Sequence, residues 1–108
     1  MKINRVRLGL FTRTESKKVQ TPHVDWDKPH KTIVYYLNQS DGDTYFYEEK
    51  YDRAFHQGED TNPYHKYYVS DVSTFKQNSM VSFEGHTYHS SSSPLNHNIR
   101  IAMNINVI

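Results

Sequence analysis

From Ile99 to Val107 the run "IRIAMNINV" alternates without a break, and it ties the chain to pleated structure more tightly than any other stretch. Successive side chains of a strand point to opposite faces. Arg100, Ala102, Asn104 and Asn106 therefore share one face, and Ile99, Ile101, Met103, Ile105 and Val107 share the other. "INRVRLGLF" near the start behaves alike, with Val6, Leu8 and Leu10 set against Arg5 and Arg7. "KTIVYYLN" and "TYFYEE" read as strands on either side of the turn residues Asp41 and Gly42. Shorter strands follow at "KYYVSDV", "SMVSFEG" and "HTYHSSS". Nine tyrosines and five phenylalanines favour the same outcome. Seven or eight strands with turns between them predict an all-β sandwich or barrel. "TRTESKKVQTP" reads as a loop or wide hairpin turn, and Lys50 to His65 as one long surface loop of the kind that forms lids.

At 108 residues the chain has the size of a single domain, spanning 1–108. Its formal charge of +1, from 13 basic and 12 acidic residues, gives no strong field for phosphate backbones or anionic lipid. No apolar run approaches the length of a membrane span, and the first residues lack the pattern of a leader peptide. The absence of cysteine removes disulfides, thiolate metal sites and thiol nucleophiles. A soluble cytoplasmic protein is the expectation.

The chemistry gathers in "TPHVDWDKPHKTIVYYLN". His23 and Asp25 are two apart and emerge on one face of an extended chain, just ahead of a strand able to hold them. A third nitrogen from a distant strand would complete a set of two histidines and one carboxylate, which leaves adjacent positions open and suits non-haem Fe(II). Four protein ligands would instead close the site, as structural zinc prefers. His89 is the best third ligand, with His86 as its rival. Eleven residues beyond His89, Arg100 stands on an apolar strand with no neighbouring acid. A guanidinium facing inward needs an anionic partner, and one end of a dicarboxylic acid would serve.

"PHVDWD", "KTIVYYLN", "GDTYFYEE", "SFEGHTYHSSSSP" and "RIAMNIN", in that order, resemble the 2-oxoglutarate- and Fe(II)-dependent dioxygenases, and most closely their prolyl-hydroxylase-like branch. The resemblance runs from about Val6 to Val107. It implies a double-stranded β-helix, the cupin-like jelly roll, with little or no helix. Carried over by position, His23, Asp25 and His89 would bind iron, and Arg100 would pair with the distal carboxylate of 2-oxoglutarate. Tyr36 matches a tyrosine that in several relatives reaches the same carboxylate. The implied activity is hydroxylation of a C–H bond on a small molecule or a polypeptide side chain, coupled to oxidative decarboxylation of 2-oxoglutarate. Asp25 stands where halogenating relatives carry a small residue, which favours hydroxylation. Relatives often read G-G-x-T where this chain has Gly42, Asp43 and Thr44, so the turn has one glycine fewer.

Other readings compete for the same residues. Asp27, His30 and His97 read as solvated, His56 and His65 as loop surface, and Ser90 to Ser93 as a flexible turn. Trp26 either stacks on a substrate or packs at the barrel mouth. A catalytically silent barrel kept for binding is the alternative function. Arg5, Arg7, Arg13, Lys17 and Lys18 form a modest basic region, but the near-neutral balance argues against nucleic acid as a partner. If Arg100 faces a cavity, the apolar side of the last strand faces outward and seeks cover. That predicts either a homo-oligomer formed through this face or a helical segment missing ahead of the first strand.

Overall fold

The alternating C-terminal run forms β7 (Ile99–Val107), an interior strand held between β1 (Ile3–Thr12) and β2 (Lys31–Tyr36). β5 (Met80–Glu84) pairs with the free side of β2 and completes a four-stranded sheet in the order β1-β7-β2-β5. The second sheet has the order β4-β3-β6, built from β3 (Thr44–Lys50), β4 (Val69–Ser73) and β6 (Thr87–Ser91). All of these pairings are antiparallel. The computed structural model describes residues 1–51 and 67–108, and among them there is no helix. The expected loop from Lys50 to His65, with His56 and His65, lies outside the described residues save for Lys50, the last residue of β3, and Tyr51.

The polar stretch ahead of His23 is more ordered than a loop. Val19 bridges Ser92, Gln20 N–H donates to Ser91 O at 2.8 Å, and His23 and His89 exchange two backbone hydrogen bonds of 3.0 Å. Residues 19–23 thus run antiparallel along the free edge of β6. "SSSS" is likewise not a flexible turn. Ser90 and Ser91 belong to β6, and Ser90, Ser92 and Ser93 are buried. Two of the hydroxyls replace apolar packing with hydrogen bonds, Ser90 Oγ with Tyr47 Oη at 2.7 Å and Ser92 Oγ to Asp43 O at 2.8 Å.

Register decides what faces inward. Arg5, Arg7, Gly9 and Phe11 lie opposite Asn106, Asn104, Ala102 and Arg100. Asn104 and Asn106 in turn face Val34 and Thr32 of β2. Apolar packing is concentrated at one end, where Val34, Tyr36, Phe75 and Ala102 form a buried cluster against Val81 and Phe83. The other buried side chains of this face are polar, with Thr32, Arg100 and Asn106 nearly inaccessible. The outward face is the apolar one: Val6, Leu8 and Leu10 are more than half exposed beside half-buried Ile105, Met103 and Ile101. Val107, expected to face out with them, is buried.

Turn chemistry fixes the far end of the interior. Gly42 has φ of 100°, and a Cβ there would lie 2.5 Å from Ser92 O and 3.0 Å from Arg100 Cδ. Only glycine meets both constraints. Next to it, the Asp41 carboxylate accepts from Leu95 N–H (2.9 Å), Asn96 N–H (3.2 Å) and His97 Nδ1 (3.1 Å). His97 is therefore a half-exposed tie between two turns rather than a free surface histidine.

Candidate metal centre

The exchanged backbone bonds make His23 and His89 directly opposed residues of an antiparallel pair, so both side chains leave the same face. Their ring centroids stand 4.6 Å apart. Asp25, two residues beyond His23, enters between them. Its Oδ1 lies 3.4 Å from His23 Nε2 and 3.6 Å from His89 Nε2, and one ligand atom from each of the three residues falls within 4.8 Å of the others.

Each ring is oriented by its own backbone. His23 Nδ1 is 3.0 Å from Thr21 O, and His89 Nδ1 is 3.0 Å from Thr87 O. A carbonyl can only accept, so each Nδ1 carries the hydrogen and each Nε2 turns a lone pair towards Asp25. Asp25 is oriented from the opposite side, by Asn106 Nδ2–H donating to Oδ2 at 3.0 Å. The same amide nitrogen donates to Thr32 Oγ1 at 3.0 Å, and its oxygen accepts from Arg5 Nε at 3.3 Å. These three bonds fix the amide's orientation. They also leave Asp25 Oδ1 and His89 Nε2 buried without a hydrogen-bond partner.

Three lone pairs converging with no donor between them repel unless a cation sits among them. Without a metal, that cation is a proton. Burial alone would lower the His23 pKa, but Asp25 and the Thr21 carbonyl outweigh it and raise it. Burial would raise Asp25, yet His23, His89 and Asn106 hold its carboxyl well below the usual carboxylate range. With metal–ligand bonds of about 2.1 Å, adjacent donors lie roughly 3.0–3.4 Å apart, so the donor set fits a divalent ion with small adjustments.

His86 is not part of this cluster. Its ring packs against those of Tyr51 (5.3 Å) and His30 (6.0 Å). His30, expected to be solvated, is buried. Its carbonyl accepts from Gly85 N–H at 2.8 Å, and its ring occupies the space that a Cβ on Gly85 would need. This contact fastens the segment that carries Asp25 to the β5–β6 turn. Trp26 is half-buried against the His30 ring at 5.8 Å.

His23 and His89 line a cavity of about 100 Å³ that also reaches Arg100, Thr44, Gln20 and Asn104. Arg100 Nε donates to Gly42 O at 2.8 Å and its Nη2 to Thr44 Oγ1 at 3.2 Å. The rings of Phe75, Phe11 and Tyr36 stand 5.0, 5.6 and 5.7 Å from the guanidinium carbon. Burial lowers the Arg100 pKa, but a guanidinium stays charged at any physiological pH. No ion pair to a carboxylate neutralises it among the described residues. Its hydrogen-bond partners are neutral and the Asp43 carboxylate acts on it only through space, so an anion entering the cavity meets charge that no direct ion pair offsets.

Tyr36 is buried behind this wall and does not line the cavity. Its hydroxyl lies 2.9 Å from Thr44 Oγ1 and 2.8 Å from Ser73 Oγ, donating to one and accepting from the other. Thr44 is thus the hydroxyl beside Arg100 that lines the cavity, and Tyr36 supports it. Thr44 and Asn106 are residues of this candidate site that the sequence does not single out by role. Parity alone puts Asn106 on the inward face, and the one sequence signal for Thr44 is its place after the Gly42 turn.

The amide bridge gives a testable consequence. Asn106→Leu should weaken metal binding about 10–100-fold, because Asp25 loses the donor that aims it. Isothermal titration with Co(II) would measure this. An unchanged affinity would show that Asp25 needs no such support. Comparison with protein-family models, curated proteins and solved structures found no match, so the reading of the site rests on its own geometry.

Proposed function

We propose that the chain is a double-stranded β-helix of the 2-oxoglutarate/Fe(II) oxygenase kind and hydroxylates a C–H bond of a small molecule or a polypeptide side chain. Support for the fold comes from strand order. Adding residues 19–23 to the free edge of β6 sets a second row of four opposite β1-β7-β2-β5, with chain neighbours alternating between the two sheets for much of their length. The single observation that carries the function is one cavity lined both by His23 and His89 of the three-residue donor set and by a guanidinium that, among the described residues, no carboxylate pairs.

In this reading His23, Asp25 and His89 would hold Fe(II). The metal would supply oxygen activation coupled to decarboxylation of 2-oxoglutarate to succinate and carbon dioxide, the second oxygen atom going to the substrate C–H bond. Arg100 and Thr44 bind the distal carboxylate, and the fixed side chains around them orient the diacid along the cavity. Phe11, Val34 and Ala102 line the same space and limit water there. Asn106 keeps one oxygen of Asp25 occupied, so the other faces the metal.

Anaerobic addition of Fe(II) and 2-oxoglutarate should give a weak visible charge-transfer band that His23→Ala lacks. Succinate release in air would then report turnover before any substrate is known. A wild-type protein without the band would point instead to a silent barrel used for binding. The substrate is best sought by screening peptides and free amino acids for stimulated succinate release.

A further inference from the structure

The four-stranded sheet mixes buried polar side chains with one apolar cluster on the side that faces the cavity, and is almost wholly apolar on the side that faces away. In register across the strands, Leu8 lies beside Met103, Met103 beside Tyr35, and Tyr35 beside Met80. Val6 and Leu10 flank this row on β1. Leu8 and Met80 are each 63% exposed. The only charged side chains on this face of the four strands are Lys31 and Glu84, adjacent at one end with Nζ 3.7 Å from Oε1. Soluble surfaces seldom leave so continuous an apolar field open.

We propose that this face is the interface of a homodimer, in which the outer sheets of two copies pack against each other. Charge favours a second copy. A face bearing one positive and one negative group side by side opposes nothing on its own twofold image, and Lys31 of each chain can approach Glu84 of the other or keep its own. Area also favours it. At roughly 3.3 Å per residue and 4.8 Å between strands, these four strands present a flat area of about 500 Å². Side-chain relief increases the accessible area towards the roughly 800 Å² per partner of a standard interface. Two such sheets would pack about 10 Å apart with their side chains interleaved. The inference does not depend on the metal or on the proposed activity, since all the residues involved point away from the cavity.

Sedimentation velocity over about a hundredfold range of protein concentration should give twice the 12.8 kDa chain mass at the upper end. Leu8→Lys should remain monomeric throughout. Because the chain has no cysteine, a single introduced thiol gives a second reading that needs no disruptive change. Leu8→Cys should react slowly with a maleimide at high concentration and quickly on dilution. Glu48→Cys, exposed on β3 of the other sheet, should react quickly at both. A wild-type monomer at the highest concentration, with Leu8→Cys labelled as fast as Glu48→Cys, would overturn the proposal and leave the face to another occupant. So would a dimer that survives Leu8→Lys with the thiol at position 8 still freely labelled. Should Leu8→Lys fail to fold, the concentration dependence of Leu8→Cys labelling decides alone.

Discussion

His89→Ala is expected to lower metal affinity by at least about a thousandfold, while His86→Ala leaves it unchanged. Two histidines and a carboxylate bind a divalent ion through a small number of strong bonds, and removing one of three leaves a pair that water outcompetes. His86 shares the local sequence but packs against Tyr51 and His30, away from Asp25. Titration with Co(II), followed by its visible spectrum, separates the two variants. Equal losses in both, or tight binding by His89→Ala, would remove His89 from the centre.

The same titration carries a pH dependence whose sign is set by the metal-free cluster. The raised His23 pKa stabilises the fold fully below the ordinary histidine value near 6.5, and that contribution is lost as pH rises through the raised value. The lowered Asp25 pKa stabilises it above the ordinary aspartate value near 4, and that contribution is lost only as pH falls into strong acid. The metal-free protein should therefore be most stable between roughly pH 4 and 6.5. Metal must displace the proton on His23, so its affinity should climb as pH rises above that window and flatten once His23 is neutral. Thermal melts with and without Co(II) across this range would show the gap between the two forms widening with pH.

Arg100→Met should raise the KM for 2-oxoglutarate about a hundredfold or more and leave Co(II) binding intact. Charge-assisted hydrogen bonds to a carboxylate contribute on the order of 3 kcal/mol, which is the size of that change. Arg100→Lys should recover only part of the loss, because a single ammonium cannot reproduce the planar fork now held by Gly42 O and Thr44 Oγ1. The split between co-substrate and metal is the diagnostic feature. If both substitutions left the KM unchanged, the buried guanidinium would have to be read as structural.

Much of this was legible in residue order. The two-residue spacing of His23 and Asp25 places them on one face wherever the chain is extended, and parity along β7 sends Arg100 and Asn106 inward together. The all-β class followed from alternation. What stayed hidden depends on contacts between remote segments. Nothing in "KVQTPH" announces that it lies along β6, because its pairing rests on backbone bonds and not on apolar side chains. Four consecutive serines look like a turn until Ser90 meets the Tyr47 hydroxyl and Ser92 the Asp43 carbonyl. The burial of His30 requires the bare backbone of Gly85 on the other side of the fold. Tyr36, which the resemblance sets beside the co-substrate carboxylate, stands behind Thr44 in the cavity wall, and a resemblance identifies a neighbourhood more readily than which of two hydroxyls stands in front.

The two reciprocal amide bonds between His23 and His89 have a consequence for the way the chain settles into its final pairing. A slip of one residue along that seam would send His23 to the opposite side of the sheet and disperse the donor set. An ion captured by all three residues would therefore select the correct alignment and penalise its neighbours. Loading such a centre and proofreading the strand match would then be the same event.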